Sequence, residues 1–266
     1  MRLWIKWRLV VTTLPFVAVM IGLGLARDAI GLQGLFEFGD IAAILTAGAF
    51  LIGFMLSGTM ADYKESEKLP GELACALDNI EDCLSLAAVK QQQLDLRSLR
   101  TRLGALSAGI ERWLYGELKL PELFEIFEGF QGVTAELERG GSSYGARVAA
   151  ELAVLRKSLT RIHVIRTTQF LGAGYALLET MVSAILFMML AAHWKSPASE
   201  YTLMGFITLV YVYMVRLIRD VDCPFDHGRD GARGSAEVDL SPILDYLTRA
   251  RRRLETTAGH ASIRIA

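Results

Sequence analysis

Hydrophobic residues in this chain fall into four long runs, separated by segments in which apolar and polar positions alternate at helical spacing. Leu9 to Ala26 carries no charge across 18 positions, and Ile41 to Met60 carries none across 20. Phe170 to Ala192 contains a single charge, Glu179, and Tyr201 to Val215 contains none. A helix crossing a bilayer core of about 30 Å needs about 20 apolar residues. The second and third runs meet that length, and the first meets it with its flanking Trp4, Ile5 and Trp7. The fourth is shorter. Pro197 can open its helix at the first turn, and Arg216 and Arg219 can snorkel to the interface. Four membrane helices are predicted. The first run is longer than the apolar stretch of a signal peptide, about 7–15 residues, and is read as a retained helix.

Between the second and third runs the pattern changes to amphipathic helix. Leu73, Leu77, Ile80, Leu84 and Leu86 form one stripe, and Leu94, Leu96, Leu99, Leu103, Leu106, Ile110 and Leu114 a second. Pro121 opens a third through Leu123, Phe124, Phe127 and Phe130; a fourth runs from Val148 through Leu152, Leu155, Leu159 and Ile162. These stripes predict helices packed on one another. After the fourth apolar run the chain is irregular to about residue 240. It then becomes a helix with basic residues Arg249 and Arg251 to Arg253, which reads as a solvated helix end or as contacts to anionic lipid.

Basic residues fix an expected orientation. Arg2, Lys6 and Arg8 precede the first apolar run, and Lys64, Lys68, Arg161 and Arg166 flank the inner ends of the second and third. Residues 27–40 hold one basic residue, Arg27, against Asp28, Glu37 and Asp40. Both termini and the middle segment are expected in the cytoplasm of a cell with this protein in its inner membrane. The expected organisation is 1–60 for the first two membrane helices, 61–166 for a cytoplasmic helical region, 167–219 for the last two membrane helices and 220–266 for a cytoplasmic tail.

Composition excludes several functions. A net charge of −1 supplies no field for nucleic-acid binding. Three Cys and four scattered His give neither a disulfide framework nor a zinc motif. There is no P-loop, no G-x-S-x-G and no H-E-x-x-H, so neither an enzymatic activity nor a cofactor is expected.

Two segments carry a resemblance. Phe50 and Phe54 at the end of the second run are followed by Glu65, Lys68, Leu69, Gly71 and Leu73 without a gap. Further on stand Asp222-Cys223-Pro224-Phe225 and Val238-Asp239-Leu240. This pattern resembles the bestrophin family of pentameric ion channels and its bacterial relatives. The order of two membrane helices, a helical insert, two more membrane helices and a tail is similar over most of the chain. The resemblance implies an all-α polytopic membrane protein with four transmembrane helices and a helical cytoplasmic layer, assembled as a homo-pentameric ring. It also implies passive conduction of monovalent ions, chloride among them, along an axis lined by the second helix. Members usually carry Arg, Asn and Trp where this chain has Met55, Ser57 and Lys64, and Ile or Val where it has Thr46. The acidic calcium clasp of animal members is reduced to Asp226, Asp230 and Glu237, so calcium gating is not expected.

The candidate pore residues are Thr46, Phe50, Phe54 and Ser57, which share a helix face. The opposite face, with Ile44, Leu51 and Met55, suits lipid or neighbouring helices. Rings of Phe in a symmetric assembly make an apolar collar that gates by dewetting or passes partly dehydrated ions. Gly22, Gly24, Ala42, Ala43, Ala47 and Gly48 are expected to pack between copies. Glu179 within the third run is an ion-path or proton-linked candidate or a buried structural group, with Tyr175 or Thr180 as hydrogen-bond partner. Two other functions fit the same sequence: a non-conducting membrane scaffold whose cytoplasmic helices dock a partner protein, and a proton-coupled carrier using Glu179.

Overall fold

A computed structural model describes residues 2–32, 34–91, 93–141, 143–168, 172–194, 196–225 and 236–263. The described residues are almost wholly helical and form two compact units. The first comprises residues 1–63, 168–224 and 233–237; the second comprises 64–167, 225–232 and 238–266.

The first unit is built on α1 (Arg2–Ile30), α2 (Phe38–Ser66), α7 (Gly172–Leu190) and α8 (Pro197–Asp222), the four helices long and apolar enough to cross a membrane among the described residues. The third span is described from Gly172; Phe170, where the apolar run begins, lies outside the described residues. Ser196 caps α8, its hydroxyl accepting from the Ser199 N–H at 3.3 Å, and Pro197 occupies the first turn. That cap extends the short fourth run to 26 residues, about 39 Å of helix.

Two of the glycines expected between copies are used inside the chain. Gly24 of α1 lies against Met204 and Tyr201 of α8, where an added Cβ would sit 3.4 Å from each. At Gly48 a Cβ would come within 2.6 Å of Ile185 on α7 and 3.0 Å of Tyr211 on α8. The Tyr211 hydroxyl donates to the Leu45 carbonyl at 2.5 Å. Small residues let helices approach closely in apolar surroundings, and here they join elements of one protomer. Gly22, Ala42, Ala43 and Ala47 are exposed. Around the Gly48 contact a core forms from Ile41, Ile52, Met55, Leu178, Ile185, Met189, Met204 and Ile218.

A tie at one end of this unit is not evident from the sequence. Strands β1 (Phe36–Glu37) and β2 (Ala192–His193) pair in parallel, with Phe36 opposite Ala192. Gly34 passes so close that a Cβ would lie 2.5 Å from the His193 nitrogen. Arg27 donates to the carbonyls of Leu190 and Ala192 at 2.7 and 3.1 Å. It also pairs with Asp28 at 2.6 Å and with the buried Glu200. The single basic residue of the 27–40 segment is thus the hub of a polar tie.

The second unit packs α3 (Leu69–Lys90), α4 (Leu96–Leu114), α5 (Leu120–Arg139), α6 (Tyr144–Thr167) and α9 (Ser241–Ile263). Leu73, Leu77, Ile80, Leu84, Leu99, Leu106, Ile110, Phe127, Leu155 and Leu159 are buried as their spacing predicts. Leu86 is 50% exposed; Ala87 takes the next inward position, because a step of two residues from Leu84 turns a helical side chain away from the stripe. Asp95 caps α4, accepting from the Arg97 N–H at 3.0 Å, so Leu94 falls before the helix.

The basic run of α9 is engaged within the chain. Arg253 pairs with the buried Glu81 at 2.8 Å and with Asp78 at 3.4 Å; Arg249 pairs with Asp78 at 2.5 Å and Arg251 with Glu111 at 2.6 Å. Arg100 approaches the other Glu81 oxygen at 3.3 Å. Arg253 is drawn inward by its pairs, whereas Arg249 and Arg251 pair at the surface with side chains 50% and 61% exposed, as in a solvated helix end. Ile243, Tyr246 and Leu247 seat the helix below them, and burial pushes the Tyr246 phenol above its ordinary range.

Gly48→Val is expected to lower the thermal unfolding midpoint in detergent, at a cost of about 1–3 kcal/mol for forced overpacking. Gly22→Val, at a position with nothing within 4 Å, should leave it unchanged. In the second unit, Arg253→Ala leaves a buried carboxylate underpaired and should cost about 3 kcal/mol. Chemical denaturation should show that Arg253→Leu combined with Glu81→Leu is less damaging than Arg253→Ala alone.

Candidate functional site

Helix α2 presents two unlike faces. Ile41, Gly48, Ile52, Met55 and Thr59 are buried. Ile44 and Leu51 are partly buried against the same core. Thr46, Phe50, Phe54 and Ser57 are all exposed, Phe50 to 78% and Phe54 to 59%. Steps of four, four and three residues keep these side chains on one stripe, extending about 16 Å along the helix. Ala42, Ala49 and Gly53 flank the stripe on one side and Ala43 and Ala47 on the other; all five are exposed.

The polar groups of the stripe differ. The Thr46 hydroxyl donates to the Ala42 carbonyl of its own helix at 2.8 Å, which leaves its methyl as the outward group. Phe50 and Phe54 follow as large apolar rings one turn apart. Ser57 follows with an exposed hydroxyl. Chemically this surface offers no nucleophile and no titratable group; it offers a narrow apolar band bounded by small polar side chains.

Glu179 lies two turns into α7 and is paired with Arg219 of α8, both side chains about half exposed. The partners expected for it are engaged elsewhere. The Tyr175 hydroxyl donates to Asp222 Oδ2 at 2.9 Å, and the Thr180 hydroxyl donates to the Ala176 carbonyl at 2.7 Å. Arg216 and Arg219 both follow the inner end of the fourth run, and the structure selects Arg219. Spacing along one helix gives no register against its neighbour, even when the two are consecutive in sequence, as α7 and α8 are. Glu179 is not brought together with the α2 stripe in any described contact.

The architecture matches solved structures of low sequence identity. A bacterial bestrophin homolog from Klebsiella pneumoniae superimposes with a TM-score of 0.68 at 14% identity, covering 92% of this chain and 98% of that one. Two variants of a bacterial bestrophin homolog from the same organism give 0.70 at 15% identity, over 95% and 99%, and 0.67 at 14%, over 93% and 98%. This chain has the bestrophin fold. No family model and no curated protein matches the sequence.

Within the bestrophin fold the residues that carried the resemblance have physical roles. Arg161 grips Glu65 through two hydrogen bonds, at 2.9 and 2.5 Å. Leu69 and Leu73 enter the core of the second unit, 4% and 0% exposed. Asp222 ends α8 and receives the Tyr175 hydroxyl. Phe225, Val238 and Leu240 are buried, and Asp239 accepts from Ser241 at the start of α9, at 3.1 Å from its N–H and 2.7 Å from its hydroxyl. Asp226 and Asp230 of the reduced clasp lie outside the described residues.

A double-mutant cycle with Glu179→Gln and Arg219→Gln tests the α7–α8 pair. Thermal unfolding in detergent should give a coupling of no more than about 1 kcal/mol, as for other exposed ion pairs.

Proposed function

We propose that this protein is a bestrophin-like channel. Several copies, five by resemblance, place the exposed face of α2 around a common axis, and small ions pass through it down their gradient. The observation that carries this reading is the α2 stripe itself. Two Phe side chains stand exposed on a helix whose opposite face is buried, with Ala42, Ala49 and Gly53 on one flank and Ala43 and Ala47 on the other. Small flanks allow neighbouring α2 helices to approach closely, and the Phe rings then converge on the axis as a collar. A symmetric closed ring satisfies the same surface on every copy.

In that ring Thr46 and Ser57 bound the collar, and an ion loses and regains part of its water between them. The basic flanks of the apolar runs support cytoplasmic termini and a cytoplasmic second unit in an inner membrane. The scaffold reading has no comparable support, because it leaves the exposed Phe pair without a task. The carrier reading is weakened by the Arg219 partner of Glu179.

Purified protein should elute as a particle of several protomers, and a stable monomer would remove the channel reading. In liposome flux assays Phe54→Ala should widen and wet the collar and raise ion flux, and Phe50→Ala should act in the same direction. Met55→Ala, at a position 1% exposed, should cost about 2–5 kcal/mol of stability and leave flux per assembled particle unchanged. Equal flux in wild type and all three variants would mean that Phe50 and Phe54 do not form a conducting neck, and no flux in any of them would favour the scaffold.

A further inference from the structure

The α2 stripe does not end at Ser57. Helix α2 runs unbroken to Ser66, and further steps of four and three residues lead from Ser57 to Ala61 and Lys64. Ala61 and Lys64 are both exposed. At 100° per residue Lys64 falls at the same angle as Thr46, within 20° of Ser57. Its ammonium has no hydrogen-bond or ion-pair partner among the described residues of the protomer. Of the neighbouring carboxylates, Glu67 lies past the end of the helix, exposed and without an ion pair to Lys64. Glu65 is held by Arg161, and Asp62 is turned away on the opposite side of the helix.

We infer that Lys64 is the charge-selecting residue of the proposed pore, a ring of ammonium groups about 15 Å beyond Phe54 that favours small anions over cations. This inference rests on the channel reading and adds to it the sign of the permeating ion, which the collar leaves open. An uncharged Phe collar dehydrates anions and cations alike, whereas a ring of like charges raises the local concentration of counter-ions and repels co-ions. Lysine suits the task, since a strongly hydrated point charge on a flexible stem attracts an anion without fixing it in bidentate geometry. Asp40 does not cancel the ring. It lies 24 residues earlier in the same helix, about 36 Å away along the axis, well beyond a Debye length of about 8 Å at physiological salt.

A different role is available to a lysine in the last turn of a membrane helix: its stem can snorkel to lipid headgroups. The two roles separate in planar bilayers under a potassium chloride gradient, using the full-length protein and the variants Lys64→Arg, Lys64→Gln and Lys64→Glu. Each variant is first checked for unchanged elution as an oligomer. The wild-type reversal potential should lie toward that of chloride, and Lys64→Arg should keep it there. Lys64→Gln should lower the chloride-to-potassium permeability ratio on the order of tenfold, and Lys64→Glu should move the preference to potassium. At 1 M salt, where the Debye length is about 3 Å, the differences should shrink. A conducting wild type whose reversal potential is shared by all three variants would overturn the assignment and place Lys64 among the headgroups. A wild type that prefers potassium would overturn it as well. A wild type that forms oligomers and carries no current would instead remove the channel reading, and this assignment with it.

Discussion

The absence of a side chain at Gly48 decides how α2 sits. Ile185 and Tyr211 approach so closely that a Cβ would lie 2.6 and 3.0 Å from them, so both would have to shift, and the Tyr211 hydroxyl fixes the contact through the Leu45 carbonyl. A helix held at one point on its surface has its whole rotation fixed, because every side chain follows at 100° per residue. Ile41, Ile52 and Met55 therefore go inward, and Thr46, Phe50, Phe54 and Ser57 are left outside. The exposed aromatic stripe follows from a glycine on the opposite face.

Charged groups in the first unit follow a second constraint. In apolar surroundings an ion must be paired or must reach water. Arg27 meets this by collecting the carbonyls of Leu190 and Ala192, which the end of α7 leaves without helical donors, together with Asp28 and Glu200. Glu179 and Arg219 meet it with each other at a half-exposed position. The second unit uses the same chemistry differently: Glu81, 2% exposed, is answered by Arg253 and Arg100. Within the basic run of α9, Arg253 serves as an internal clamp.

For a channel, the division of labour proposed for α2 is economical. In that proposal the buried face would set position, the Phe rings the diameter and dryness of the path, and the charge further along the stripe the ions that gather there. None of these roles requires a buried charge at the narrowest point, where desolvation would be most costly.

The sequence by itself determined the number of the apolar helices, the amphipathic stripes of the second unit and which residues share the α2 stripe. Each of these depends on a period along one helix, and a period is visible in one dimension. Asp95 and Ser196 also announce their helix starts locally, through capping chemistry. Tertiary structure alone decided which side of α2 is buried, that Gly24 and Gly48 serve contacts within the protomer, and that Arg219 rather than Tyr175 meets Glu179. It alone paired Arg253 with Glu81 across 172 positions of sequence. These contacts join residues whose separation along the chain carries no information about distance in space, and they are set by how helix surfaces fit together.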